Sequence, residues 1–416
     1  MKKILIISHN AISKTSNNGK TIRSLFEYYD KNDISQLYFH GSEEPDYDFI
    51  SEFYHLSLIR HLKTLFKLKF KKNTNHFSES RVNVPKSFYS FSIILRDLLW
   101  DIIQWDTKSL RIWLKNFDPK IIFFVGGNST FSHKIALNIS RRLGIPLAVF
   151  FTDDYIIYPL SRNIIDKLHK RRLKKYYSKT IKHSKLHFGI GEMMCDEYSK
   201  YYKQTFFPIM NSIEIRETTT KNLDRNIVIS YFGGLHLNRD NQIIKFAEIC
   251  NNIFKDSNYK ITFKVYSGEV PSNFISEKFD KHNIKFMGFV NENIIQECIS
   301  EATFLFHVES DEMYYRHLTR LSISTKIPEY LISMRPIIAF GPIEVASMQL
   351  LQNNGLGIVI SSEENIEVIE KKLISAFSDP IDYEKLAKKS YRFAKSYFNK
   401  EENSSLFLKK LNSLWR

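Results

Sequence analysis

Short apolar runs alternate with longer amphipathic stretches along almost the whole chain. Such runs lie at 3–8, 33–41, 119–127, 145–154 and 185–194, and those at 119–127 and 145–154 end in glycine or polar residues. Runs of this length with such endings predict strands buried on both faces, and the helical stretches between them predict βαβ units with parallel pairing. An amphipathic segment at 21–29 follows the first run, a long helix is predicted over 90–116, and another helix over the "CDEYSKYY" stretch after the fifth run. The polar stretch 207–226 interrupts the pattern, which then restarts with runs at 227–234, 259–268, 283–289, 302–309, 335–342 and 355–360.

Two successive halves of this kind predict an α/β protein made of two Rossmann-like, doubly wound domains facing a cleft. The expected boundaries are an N-terminal domain at 1–212, a linker at 213–226, a second domain at 227–380, and C-terminal helices at 381–416 packing back towards the first domain. Doubly wound sheets bind ligands beyond the carboxyl ends of their strands. The loops to inspect are therefore those after Ile7, Val125, Phe151, Phe232, Phe289, Val308 and Phe340.

Composition adds to this picture in three places. A chain of 416 residues exceeds what one core usually serves, which agrees with two domains. Its three cysteines, Cys195, Cys250 and Cys298, lie far apart, with neither a disulfide framework nor metal-ligand spacing, as in a reducing compartment. The start has only four consecutive apolar residues, where a secretory signal needs roughly 7–15, and no run approaches the roughly 20 of a membrane span. A cytoplasmic protein is expected, soluble or peripheral at the inner face of the plasma membrane.

The net charge of +15 is concentrated in 60–72, where bases interleave with Leu and Phe, and in 162–182. That mixture suits an anionic membrane surface; two solvated helix faces are the alternative. No nucleic-acid module accompanies the charge, so no nucleic-acid partner is expected.

The chemistry concentrates in 321–342, "LSISTKIPEYLISMRPIIAFGP". Ser324, Thr325 and Lys326 are predicted to open a helix whose first turn accepts Pro328. Free N–H groups, hydroxyls and a lysine there suit a diphosphate, and Glu329 one turn on suits ribose hydroxyls. The same residues would serve equally as a helix cap. In "FFTDDY", Asp153 and Asp154 are adjacent and point different ways, so one orients a substrate or one caps the next helix. His133 and His9 are two further candidates for the cleft. Glu309–Glu312 reads as a solvated acidic loop, with contact to donor or acceptor hydroxyls as the alternative, and Asp46 and Asp48 have metal-type spacing in an ill-defined region.

The segment "SISTKIPEYLISMRPIIAFGP" resembles the donor site of GT-B glycosyltransferases related to family 4, the bacterial polysaccharide-assembly enzymes. The stretches "KILIISHNAISKTSNNGKTIRSL", "HFGIGEMMCDEYSKYYKQTFFPIMNSIEI", "ISYFGGLHLNRD" and "IKFMGFVNENIIQECISEATFLF" carry the resemblance over most of the chain. It implies that Gly19 and Gly233 admit donor phosphates, and that Arg239 takes the place of a phosphate-binding lysine. It further implies that Ser324, Thr325 and Lys326 bind the diphosphate, that Glu329 binds the ribose, and that the backbone at Phe289 and Val290 borders the base. Asp153 is the implied cleft-facing carboxylate. Two departures stand out: Leu321 replaces the first of two spaced glutamates, and Gly234 replaces an arginine.

The implied activity is metal-independent, cofactor-free transfer of a hexose from a nucleoside-diphosphate sugar, UDP in the first instance, with retention. The acceptor would be a lipid-linked or surface glycan, as in capsule or O-antigen assembly. A sugar-nucleotide epimerase and a silent sugar-binding scaffold are the alternatives.

Overall fold

The computed structural model describes residues 2–12, 17–41, 44–58, 86–158, 160–161 and 163–415. The basic run at 60–72 lies outside the described residues. The chain divides into two compact units, Met1–Met210 with Glu401–Arg416, and Asn211–Lys400.

The first unit is built on β1 (Ile4–Asn10), β2 (Ile34–His40), β3 (Glu52–His55), β4 (Ile121–Gly126), β5 (Leu147–Phe151), β6 (Leu186–Ile190) and β7 (Phe206–Ile209). All are parallel, in the order β3-β2-β1-β4-β5-β6-β7. The apolar runs of β1 and β5 are fully buried, as is that of β4 apart from Val125, as strands covered by helices on both faces must be. The strand order reverses between β1 and β4, and this is where such a sheet opens a crevice.

The long helix expected over 90–116 is two helices, Lys86–Ile102 and Lys108–Phe117. The break falls where Thr107 caps the second one, its hydroxyl accepting from Leu110 N at 3.3 Å. The helices Thr130–Leu143 and Ile164–His183 pack beside the first. Strands β3 and β7 were not expected from the pattern.

The second unit carries β8 (Asn226–Phe232), β9 (Lys260–Tyr266), β10 (Ile284–Gly288), β11 (Phe304–Val308), β12 (Ile337–Gly341) and β13 (Gly357–Ser361). These are again parallel, in the order β10-β9-β8-β11-β12-β13, so the reversal falls between β8 and β11. Phe246 stacks on Phe306 and packs on Phe340, with ring centroids 4.8 and 5.1 Å apart, which ties the helix Arg239–Ile253 to the middle of the sheet.

The C-terminal helices divide differently from expectation. Helix Pro380–Tyr397 belongs wholly to the second unit, where Tyr383 Oη donates to Thr303 O at 2.8 Å and Ser390 Oγ to Leu356 O at 3.0 Å. From Glu401 on, the chain belongs to the first unit. Helix Lys400–Asn412 seats Phe407 among Phe26, Phe123 and Phe188, at 5.1, 5.4 and 5.3 Å between ring centroids. Many of the aromatics among the described residues are therefore core.

Candidate functional site

In the second unit, the loop leaving β8 is held from three sides. Tyr231 Oη donates to Gly234 O at 2.7 Å, and a Cβ on Gly233 would stand only 2.6 Å from that same hydroxyl, so glycine is needed there. Glu269, in the loop after β9, accepts from Leu235 N and His236 N at 2.8 Å each. The third support is Tyr330, which is 1% exposed; its hydroxyl accepts from Phe232 N at 2.9 Å and donates to Phe232 O at 3.3 Å.

Tyr330 lies in the short helix Ile327–Ile332, with Pro328 in its first turn as predicted. Ser324 Oγ accepts from Lys326 N at 3.4 Å, and the buried Ser347 hydroxyl accepts from Ser324 N at 3.0 Å. Thr325 is placed through its carbonyl, which accepts from Asn211 Nδ2 at 3.3 Å. Lys326 Nζ and Glu329 Oε2 pair at 3.0 Å, each about a quarter exposed. Gly233, Ser324, Thr325, Lys326 and Glu329 are thus brought into one region at the reversal of the sheet, joined through Tyr330.

Arg239 has a different place from the one expected. Its side chain is 17% exposed, and its guanidinium lies 3.7 Å from Glu309 Oε2, beside Tyr231. Burial works against its charge, but Tyr231 and Glu309 outweigh this and raise its pKa. The guanidinium is a buried support under the β8 loop, and this removes it from the expected set of open phosphate cations. Glu309 corrects the reading of 309–312 as a solvated loop: it is 2% exposed. Burial opposes its ionisation, yet Arg239, His307 and Thr319 hold its carboxyl below the ordinary range. Asp311 is engaged too, with Lys245 Nζ at 2.9 Å.

Leu321 is fully buried, so the position where the resemblance expects a glutamate faces the core. Phe289 and Val290 follow β10, where Gly288 turns the chain at φ +74°. The Phe289 ring is 78% exposed.

In the first unit, a cavity of about 250 Å³ opens at the reversal between β1 and β4. Its walls include His9, Gly19, Arg96, Gly127, Thr152 and Asp153. Gly19 lies in the first turn of the helix Asn17–Phe26, not in a loop. Asp153 lines the cavity, with Thr152 Oγ1 donating to Oδ2 at 3.0 Å. Its neighbour Asp154 holds the loop that follows: 1% exposed, it accepts from Ile156, Ile157 and Tyr158 N–H at 2.9 Å each and from Tyr198 Oη at 2.8 Å, while Asn163 caps the next helix.

His133 does not reach the cavity. It is fully buried, with Nδ1 2.9 Å from Thr180 Oγ1 and its ring 4.5 Å from that of Tyr177, and burial lowers its pKa to about 3. It is a neutral core residue between two helices. His9 does line the cavity; burial, with Arg96 and His40 nearby, lowers its pKa to about 4.

Sequence reasoning missed Arg96 and Asp97. Arg96 Nη2 donates to Asp97 Oδ1 and to Asn128 O, both at 3.1 Å. Asp97, 1% exposed, accepts from Thr130 N at 2.9 Å and Thr130 Oγ1 at 2.7 Å. This network fixes the start of helix Thr130–Leu143 and aims a cation along the cavity wall. Only the adjacency of Arg and Asp in an otherwise apolar stretch hinted at it. Asp46 is no metal ligand: it is buried and paired with Arg23.

Residues 245–400 match the family model described as the C-terminal domain of glucosyltransferase 3-like proteins. A variant of TarM from S. aureus, solved with Fondaparinux, alpha-GlcNAc-glycerol and UDP, is similar over 100% of both chains, at 14% identity and a TM-score of 0.62. WaaG, a glycosyltransferase involved in lipopolysaccharide biosynthesis, is similar over 97% of this chain and 99% of its own, at 12% identity and 0.58. A UDP-forming alpha,alpha-trehalose-phosphate synthase from Burkholderia vietnamiensis is similar over 99% and 100%, at 9% identity and 0.59. At these identities the likeness is one of fold. No curated protein matches the chain in sequence. Two doubly wound parallel sheets give this chain the GT-B fold, and most of its second unit matches the C-terminal domain of glucosyltransferase 3-like proteins.

Proposed function

We propose that the chain moves a sugar from a nucleoside-diphosphate sugar, UDP-linked, to a surface glycan or lipid-linked oligosaccharide, with retention at the anomeric carbon. The observation that carries this is the joining of two loops by one buried hydroxyl: Tyr330 ties the segment bearing Ser324, Thr325, Lys326 and Glu329 to the glycine loop after β8. Both stand at the sheet reversal, where doubly wound folds hold ligands. Lys326 would meet the diphosphate and Glu329 the ribose. Breaking their mutual pair costs little, since a partly exposed ion pair is worth about 0–1 kcal/mol.

With Arg239 committed to Glu309, the leaving diphosphate depends mainly on Lys326 and on backbone N–H groups. Preorganised donors of this kind stabilise charge that develops in the transition state. UDP is the nucleotide bound by the TarM variant, and that protein also binds a glycerol-linked GlcNAc, which supports a UDP-sugar and a glycan acceptor here. In the first unit, Asp153 and the neutral His9 would orient the acceptor. A lipid-linked acceptor would place the reaction at the inner face of the plasma membrane.

The test is thermal stability against a panel of nucleoside diphosphates and their sugars, because a ligand that binds only the folded state raises its midpoint. We expect a rise with UDP and UDP-sugars, lost in Glu329→Ala. No rise with any nucleotide would refute the reading; a rise with GDP alone would move it to another donor.

A further inference from the structure

Helix Ile164–His183 presents a one-sided outer face. Its single carboxylate, Asp166, is 15% exposed and paired with Lys170 at 2.8 Å. The exposed bases are Lys167, Arg171, Lys174, Lys175, Lys179 and Lys182, with no exposed carboxylate among them. Positions 164, 168, 171, 175, 179 and 182 follow helical spacing, so they form one stripe roughly 27 Å long at 1.5 Å per residue. At its N-terminal end stand Ile164, 75% exposed, and Leu168, 55% exposed.

The neighbouring helix Lys86–Ile102 is tied to this one by Asp101, which pairs with Arg172 and, at 3.1 Å, with Lys134. Its own outer stripe is apolar: Leu95 and Leu98 are each 45% exposed and Ile102 is 77% exposed. Scattered exposed aliphatics are ordinary, but here two adjacent helices combine five of them with six unopposed bases.

We infer that these two helices form a docking face for an anionic lipid bilayer. The bases meet headgroup phosphates while Ile164, Leu168 and the 95–102 stripe enter the interface, the division of labour of an interfacial amphipathic surface. A soluble polyanion would use the bases but gain nothing from the aliphatics, which is why lipid is the occupant the chemistry favours. The inference deepens the membrane placement above, and its test reads lipid binding alone, so it and sugar transfer can fail separately.

The full chain is sedimented with vesicles of phosphatidylcholine mixed with phosphatidylglycerol, and with pure phosphatidylcholine. Binding is expected to the anionic vesicles only. Each base contributes about fivefold, so replacing Lys167, Lys175 and Lys182 together by Gln weakens it on the order of 100-fold. Ile164→Gln with Leu168→Gln weakens it roughly tenfold further, while leaving binding to soluble polyphosphate unchanged. A thermal midpoint without ligand, unaltered in both variants, shows that they fold. Equal binding of wild type and the aliphatic variant to vesicles would overturn the lipid reading in favour of a soluble polyanion. No vesicle binding, with a dimer that Ile102→Glu separates, would assign the face to a second copy of the chain.

Discussion

Replacing Tyr330 by Phe removes one oxygen and leaves the ring, so no cavity is made and packing is nearly constant. The hydroxyl is buried and serves both the N–H and the C=O of Phe232, at 2.9 and 3.3 Å. Without it, both groups lose a partner where Tyr330 and Phe232 are buried. A buried polar group left unsatisfied costs about 1–3 kcal/mol. The carbonyl contact is the longer and weaker, so the loss is dominated by the N–H and lies in the middle of that range, about 2 kcal/mol. For a unit of this size that corresponds to a fall of about 4–8 °C in the midpoint of the second unit. The functional effect is separate: the glycine loop and the Ser324–Glu329 segment are no longer tied, so UDP affinity should fall while the first unit melts unchanged. Calorimetry with and without UDP reads both. A midpoint within a degree or so of wild type, with undiminished UDP stabilisation, would refute the idea that this hydroxyl joins the two halves of the donor site.

Two further outcomes test the first unit. Phe407→Ala empties a site walled by three other phenylalanines, so a loss of about 3–5 kcal/mol is expected in denaturant titration; a loss below about 1 kcal/mol would mean that the C-terminal helix does not seat there. His133 takes up a proton near pH 6.5 when unfolded but only near pH 3 when folded, because burial disfavours its cation. Below pH 6.5 the unfolded chain therefore binds one proton more, and stability falls as pH drops from 6.5 towards 3, by roughly 2–3 kcal/mol at pH 4.5. His133→Phe should flatten the pH dependence of the unfolding free energy over that window by one proton, and an unchanged slope would show that the imidazole is not buried neutral.

How far the chain could be read in advance depended on the range of the interaction involved. Strands whose apolar runs are buried on both faces, such as β1, β4, β5 and β11, were legible because burial leaves no polar alternation. β3 and β7 were not. They close the two edges of the first sheet, where "EFYH" is only half-buried and Pro208 in "FFPI" is tolerated because an edge strand has no second neighbour to donate to.

The segment 321–342 could be singled out because its hydroxyls, lysine, proline and glutamate lie within a few residues and share local helix geometry. That Asp153 and Asp154 point different ways was legible from their adjacency, but which of the two lines the cavity came only from the resemblance.

What the sequence could not determine was which charges are open. Arg239 and Glu309 are seventy residues apart in order, and only the adjacency of β8 and β11 makes one bury the other's charge. His133 sits at helical spacing that suits the cavity as well as the core, and the helix Ile164–His183 decides for the core by supplying Thr180 and Tyr177. Local pattern sets which segments become strands and helices, because backbone geometry and burial repeat every few residues. The protonation, exposure and partner of a side chain are set by what another segment brings against it, and that is a property of the tertiary fold alone.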